Sequence, residues 1–175
     1  MDELKRTFID YCRLRGVRFE SIDPDRISLG FTGDKAVYPG RVSFYPKVSL
    51  VLYEAVYPFR ILSPKYADIS KLISKINIYC LCGNFILEPT SGMVIFRTQT
   101  YVLCQDGDNV QIYDLLIQGC IEILEHFFTT FAQAVCGGMD VNKYCQASGE
   151  SVTETEKSDL PEEPFSGFPD NFKNN

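Results

Sequence analysis

The sequence predicts an α+β domain: an antiparallel sheet with three helices, in the order helix, strands, helix, hairpin, helix. Three stretches carry apolar residues at helical spacing, and each has a glycine at or near its end. Between them lie short apolar runs separated by Pro, Asp and Gly turns, which are typical of strands. The 175 residues, 45% hydrophobic and 23% charged, fit one globular domain of ordinary size.

The N-terminal part is expected to form one helix and several strands. Apolar residues recur at helical spacing over Glu3–Arg15, and Gly16 supplies a stop. Strands follow at Val17–Ile22 and Arg26–Phe31, joined by a turn of Pro and Asp. Further strand falls within Arg41–Tyr57, where nearby prolines leave the number of strands open.

The second helix is expected to begin at Ser63 as the N-cap, with Pro64 at the first helical position, where a missing N–H costs nothing. Its apolar residues recur on one face, and we expect the helix to end near Leu81 or Gly83.

A hairpin and a long closing helix complete the fold. The hairpin runs from Asn84–Leu87 to Met93–Leu103 across a Pro-Thr-Ser-Gly turn. The closing helix spans about Val110–Cys136, and its continuous apolar stripe can anchor the domain core. Gly137 and Gly138 provide its stop.

The chain divides into a folded part, residues 1–136, and an acidic C-terminal tail, residues 137–175. The folded part carries 14 Lys and Arg against 15 Asp and Glu, whereas the tail carries 3 against 8. A polar segment of this kind buries too little apolar surface to offset its backbone entropy, so we expect disorder. Phe165, Phe168 and Phe172 allow a second interpretation, a short motif that binds a partner or folds back onto the domain.

Composition favours a cytoplasmic protein. The seven cysteines are odd in number and mostly lie in apolar segments, which is typical of free thiols in a reducing compartment. The N-terminal segment lacks the basic-then-apolar order of a secretory signal, and no apolar run reaches the roughly 18 to 20 residues of a membrane helix. We therefore expect neither export nor a membrane partner.

Signatures of catalysis and of metal binding are absent or weak, so we expect no enzyme activity and no cofactor. His126 follows Glu122 by one helical turn, but no third metal ligand is evident, which favours an exposed helix-face pair. Cys80 and Cys82 have CxC rather than CxxC spacing, which favours core packing. The first helix carries several basic residues, Lys5 among them. We interpret them as a solvated helix face rather than a nucleic-acid site, because the net charge of the chain is −6.

The most informative pattern is a strand that is apolar on both faces. Along Val48–Tyr57 the even and odd positions point in opposite directions, and both sets are apolar. If all three helices pack on one side of the sheet, the other side keeps an apolar surface. A helix of the same chain, a second copy of the chain or a client protein could cover it. The candidate protein-binding surface is the odd-numbered face with one hairpin residue: Val51, Tyr53, Ala55, Tyr57 and Ile95.

The segment from Ile76 to Gly138 carries a distinctive order of motifs. Ile76-Asn77 is followed by Gly83-Asn84-Phe85, Thr90-Ser91-Gly92 and Phe96-Arg97-Thr98, and then by the aromatic-rich closing helix. This order resembles the YbjN-like family, bacterial proteins often labelled sensory transduction regulators, whose fold is similar to that of type III secretion chaperones. The resemblance implies a chaperone-like fold, often dimeric, that binds extended segments of other proteins and has no catalytic residues. It also implies five fold-defining positions: Asn77, Gly83, Phe85, Gly92 and Arg97.

Together these features favour a non-enzymatic protein-binding domain, chaperone-like or a regulatory adaptor, that forms a homodimer and binds an unidentified client. The alternative is a small-molecule-binding or enzymatic domain whose site is assembled from scattered residues. Its distinguishing feature would be a deep polar pocket on which side chains such as Arg60 and Arg97 converge.

Overall fold

The computed structural model describes residues 2–102 and 109–147. Within these residues the chain forms a six-stranded antiparallel sheet and four α-helices, so the predicted α+β class is confirmed and one helix is additional. The helices are α1 (Glu3–Arg15), α2 (Tyr66–Asn77), α3 (Asn109–Cys136) and α4 (Val141–Ala147). The strands are β1 (Phe19–Asp23), β2 (Arg26–Thr32), β3 (Val37–Tyr45), β4 (Leu50–Arg60), β5 (Asn84–Glu88) and β6 (Met93–Tyr101).

Helix α1 has its predicted bounds because both of its ends are capped. The Asp2 carboxylate accepts a hydrogen bond from the Leu4 N–H at 3.0 Å. Gly16 ends the helix with φ +66°, the left-handed conformation that glycine adopts at least cost.

Lys5 departs from the expectation of a solvated basic face on α1. The side chain is buried, and its ammonium group donates hydrogen bonds to the Ser21 hydroxyl at 2.8 Å and to the Asp23 carbonyl oxygen at 2.5 Å. A buried ammonium group needs such partners, because desolvation without them is costly. Lys5 therefore ties α1 to the β1–β2 turn and takes no part in a basic surface.

The strands follow the order β1-β2-β3-β4-β6-β5, and every neighbouring pair is antiparallel. Pro39 lies within β3 opposite Gly30, and Pro46 opens the 3-10 helix Pro46–Val48 that separates β3 from β4. Because proline cannot donate a backbone hydrogen bond, Pro46 suits this break between two strands.

The core lies between one face of the sheet and the helices α1, α2 and α3. Tyr57 of β4 stacks on Phe85 of β5, and its hydroxyl donates to the Leu124 carbonyl oxygen of α3 at 2.9 Å. Burial raises the pKa of the Tyr57 phenol far above its usual value. Helix α1 reaches the same layer through Phe8, whose ring meets Tyr113 of α3 edge-on. The three helices therefore share one face of the sheet.

Helix α2 is shorter than predicted at both ends. The expected N-cap, Ser63, lies instead in a 3-10 helix, Ser63–Lys65, and α2 begins at Tyr66 without a side-chain cap. The helix ends at Asn77 rather than near Leu81, and the Asn77 side chain bonds to the backbone of β5.

The folded part extends past residue 136, where the sequence analysis placed its end. Helix α4 packs along α2 with Val141 buried, and the Lys71 ammonium donates to the Asn142 side-chain oxygen at 3.1 Å. Val141, Tyr144 and Cys145 recur at helical spacing and pack on the core, which makes α4 part of the domain. The predicted disorder of residues 148–175 lies outside the described residues.

Helix α3 corrects the expectation that no segment reaches the length of a membrane span. By length and composition alone it could cross a membrane, with a mean hydropathy of 1.2 over 18 residues. In this structure one face of α3, from Tyr113 to Ala134, is buried in the core. Core helices pass the same test, and 33% of the apolar window of α3 is buried in this structure.

Candidate protein-binding surface

The odd-numbered residues of β4 do not form a surface. Val51, Tyr53, Ala55 and Tyr57 are only 0–2% exposed, because they lie on the face of the sheet that the helices cover. The prediction that this face is the contact surface is therefore wrong for this structure. Helices of the same chain cover the face. The fifth candidate, Ile95, lies on the opposite face and is partly exposed.

This opposite side, which we call the open sheet face, displays apolar side chains in two groups. Val56 of β4 pairs with Ile95 of β6, and Ile95 pairs with Ile86 of β5, so three aliphatic residues form one row. Leu50 and Leu52 lie further along β4, and all five aliphatic residues are partly exposed. Tyr45 and Tyr101 flank Leu50 and are exposed. None of the described helices covers this face.

An ion cluster crosses the middle of the open sheet face. Glu54 of β4 pairs in register with Arg41 of β3 on one side and Arg97 of β6 on the other. The Glu54 carboxylate accepts hydrogen bonds from Arg41 Nη2 at 2.6 Å, and from Nη2 and Nε of Arg97 at 2.7 and 3.0 Å. The Glu54 side chain is 8% exposed, against 46% and 45% for the arginines. The cluster presents two guanidinium groups to solvent and conceals the carboxylate that they share.

Glu54 is held in its charged form. Burial disfavours the carboxylate, but the hydrogen bonds and positive charges of Arg41 and Arg97 outweigh burial, so the pKa of Glu54 lies below its usual value. A general acid or base works best with a pKa near the operating pH, and this shift runs in the opposite direction. The cluster is therefore suited to structure and recognition rather than to proton transfer.

A shallow cavity of about 450 Å³ lies over this ion cluster. Its lining includes the three residues of the cluster and Arg26, whose guanidinium binds the Asp23 carboxylate at 2.6 Å. The polar convergence expected of a ligand site thus occurs around Arg97, whereas Arg60 does not line the cavity.

A second cavity, of about 600 Å³, forms what we call the edge groove, between β6 and α3. β5 pairs with β6 only as far as Arg97, so residues 98–101 of β6 have no described strand on that side. The apolar walls are Leu81, from the α2–β5 connection, and Leu115 of α3, which are 78% and 58% exposed. An unpaired strand edge between apolar walls suits an extended segment of polypeptide.

The other candidates from the sequence do not assemble into a site. The His126 ring contacts Phe127 edge-on, and burial lowers the pKa of His126. Across residues 2–102 and 109–147 no three potential metal ligands come together, so Glu122 and His126 gain no third ligand there. Cys82 is exposed, and burial raises the pKa of the Cys80 thiol to about 11.

Comparison with known proteins finds a match in fold. No family model and no curated protein matches the sequence. The crystal structure of YbjN from E. coli aligns with a TM-score of 0.53 and 12% identity, over 68% of this chain and 84% of that one. The fold is YbjN-like. The predicted YbjN-like fold is thereby confirmed at the level of architecture.

Two further structures match the chain at 12% identity. The HopA1–SchA chaperone–effector complex aligns with a TM-score of 0.49, over 70% of this chain and 91% of the matched chain. The ExsC–ExsE complex aligns with a TM-score of 0.46, over 73% and 94%.

The positions that the YbjN-like resemblance marks as fold-defining make specific contacts in the structure. Asn77 Oδ1 accepts from the Phe85 N–H at 2.7 Å, and Asn77 Nδ2 donates to the Phe85 carbonyl oxygen at 3.0 Å. A Cβ on Gly83 would lie 2.4 Å from the Arg97 carbonyl oxygen. Gly92 has φ +70° in the hairpin turn. These contacts hold the α2–β5 connection and the β5–β6 hairpin together, and the pairing of β6 with β4 then places Arg97 beside Glu54.

Sequence reasoning missed Glu54 and Arg41. Glu54 is the only charged residue among positions 48–57, and a single carboxylate at an even position was a signal that this face is the less buried one. The pairing with Arg41 could not be read from the sequence, because it depends on strand register.

Proposed function

We propose that this chain is a non-enzymatic protein-binding module and that the open sheet face binds a second copy of the chain. The observation that carries this proposal is the partly exposed row of Val56, Ile95 and Ile86, on a face that none of the described helices covers. Removing aliphatic surface from water stabilises an association by about 25 cal/mol per Å². A contiguous apolar patch therefore favours a partner on this face.

The ion cluster supports recognition at the same surface. Arg41 and Arg97 are almost half exposed while they hold Glu54, and a guanidinium group has five N–H donors. Arginine is enriched at protein interfaces because its planar fork donates several hydrogen bonds at once. The cluster would thus orient a partner that the flanking aliphatic residues attract.

The proposed setting is the cytoplasm, and the proposed client is a segment of another protein. Cys12 and Cys120 are buried as free thiols, which suits a reducing compartment. A client that competes with the second copy for the open sheet face would need apolar side chains for the Val56 row and carboxylates or carbonyl groups for the arginines.

The test is the mass of the full chain in solution, by light scattering at about 50 µM, for the wild type and a Val56→Glu/Ile95→Glu variant. We expect the wild type at twice 19.9 kDa and the variant at 19.9 kDa, because two buried carboxylates without partners oppose association. The matched control is Leu14→Glu on α1, an exposed apolar residue away from the open sheet face, which should stay dimeric. A monomeric wild type, or an unchanged mass of the double variant, contradicts the proposal.

A second candidate function is the binding of a small anion in the cavity over the ion cluster. The observation that favours it is the convergence of Arg41, Arg97 and Arg26 on one opening of about 450 Å³. Arginine forks match carboxylate and phosphate geometry. Calorimetry with citrate and with inorganic phosphate tests this function. Saturable binding that Arg41→Gln abolishes supports a ligand site, and the absence of a heat of binding at millimolar ligand contradicts it.

A further inference from the structure

The edge groove combines apolar walls with a polar floor from β6, and among its described lining residues one is charged. Leu81 and Leu115 form its walls, and Ile78, three residues before Leu81, is 71% exposed. Arg97 is the charged residue in the lining and also lines the cavity over the ion cluster. Aliphatic surface in water is unfavourable, so the groove is suited to an apolar segment that also carries negative charge.

The described chain ends on α2, the helix that leads into this groove. Asn142, near the start of α4, binds Lys71 in the middle of α2. Five residues earlier, Gly137 lies near the start of α2, because a Cβ on Gly137 would be 3.9 Å from the Lys65 ammonium. The chain thus runs along α2 in the same direction and leaves α4 towards the C-terminal end of α2, four residues before the groove residue Leu81.

Residues 148–175 match the groove in chemistry. They carry seven acidic residues against two basic ones, a net charge of −5. The segment Glu163–Asp170 places Phe165 and Phe168 between acidic residues, next to Pro164 and Pro169. Proline favours an extended backbone over a helix. An acidic segment with two aromatic rings complements the apolar walls, and the Arg97 guanidinium, which binds Glu54 through Nε and Nη2, has further N–H donors for a carboxylate.

The tail is long enough to reach the groove without strain. Seventeen residues separate Ala147 from Phe165, and a flexible linker of that length spans about 20–25 Å on average. The connection from the end of α2 at Asn77 to Leu81 is four residues, or about 13–14 Å when extended. Tethering therefore holds the motif near the groove at an effective concentration on the order of 1 mM.

We propose that Glu163–Asp170 docks in the edge groove of its own chain, with Phe165 and Phe168 against Leu81 and Leu115 and its carboxylates towards Arg97. The segment is then a built-in ligand of the groove, and an external protein with the same acidic and aromatic pattern must displace it. The edge groove and the open sheet face share Arg97, so the exchange measurements are also made in the Val56→Glu/Ile95→Glu background, where loss of the dimer and loss of tail docking give separate results.

The test is amide hydrogen exchange of the full chain, wild type against Phe165→Ser/Phe168→Ser, followed on peptides that cover Leu81–Gly83 and residues 98–101. If the docked segment has a Kd on the order of 100 µM, tethering at about 1 mM fills the groove roughly ten to one, so the variant should exchange there about tenfold faster. Phe172→Ser, outside the segment, is the matched control and should leave exchange unchanged. Leu115→Ser should speed exchange of the tail segment itself.

Two results would overturn the proposal. Equal exchange in the groove for the wild type and the Phe165→Ser/Phe168→Ser variant means that the tail does not dock there. Protection that grows between 2 and 50 µM protein means that the segment binds the groove of another copy. Protection that is independent of concentration, and lost in both the tail variant and Leu115→Ser, supports docking within one chain.

Discussion

Replacing Glu54 by Gln should lower the free energy of unfolding by about 1–2 kcal/mol at pH 7. The Glu54 carboxylate accepts three hydrogen bonds of 2.6, 2.7 and 3.0 Å, and a bond to a charged group contributes roughly 1.5–3 kcal/mol. Gln keeps one acceptor oxygen, so one arginine retains its partner. Arg41 and Arg97 are almost half exposed, so water replaces part of the lost hydrogen bonding. The net loss of stability therefore stays near the lower limit for one charged hydrogen bond.

The free energy is measured by urea unfolding followed by circular dichroism, and in thermal unfolding the same cost should appear as a loss in Tm of roughly 3–6 °C. The folded-state pKa of Glu54 is depressed, so its contribution is complete above the unfolded-state value near 4.5 and is lost as the pH falls through the folded-state pKa. The difference between wild type and variant should therefore shrink below pH 4.5. Glu20→Gln, at an exposed position on β1, is the control. Equal stability at pH 7, or a difference that does not change with pH, would refute the reasoning.

Two further predictions concern the core. Asn77→Ala should cost about 2 kcal/mol in urea unfolding, because it removes two hydrogen bonds and leaves the Phe85 backbone groups without those partners, and a cost under 0.5 kcal/mol would contradict this role. In the native protein an aromatic disulfide reagent at pH 8 should modify exposed Cys82 within minutes and Cys120 only on unfolding, because burial raises the pKa of the Cys120 thiol. Mass mapping checks this, and rapid native labelling of Cys120 would count against the packing of α3.

Features specified by local chemistry were predictable from the sequence. Helix α1 has its expected bounds because Asp2 and Gly16 cap it within the sequence itself. The hairpin of β5 and β6 and the start of α3 also lie close to their predicted positions, since turn residues and apolar periodicity mark them.

Features that depend on tertiary packing were not predictable. Both faces of β4 are apolar, so alternation alone could not say which one α1 and α3 cover, and the odd-numbered face was chosen wrongly. The ion cluster depends on the register of β3, β4 and β6, which brings together Arg41, Glu54 and Arg97 from distant parts of the sequence. Helix α4 was missed because seven residues give too short a periodic pattern to stand out from a polar tail.

Whether the open sheet face binds a second copy of the chain is tested most directly by sedimentation velocity of the full wild-type chain from 1 to 100 µM. We expect a reversible shift from 19.9 kDa to twice that mass across this range, with Val56→Glu/Ile95→Glu remaining at 19.9 kDa throughout. A wild type that sediments as a monomer at every concentration would contradict it.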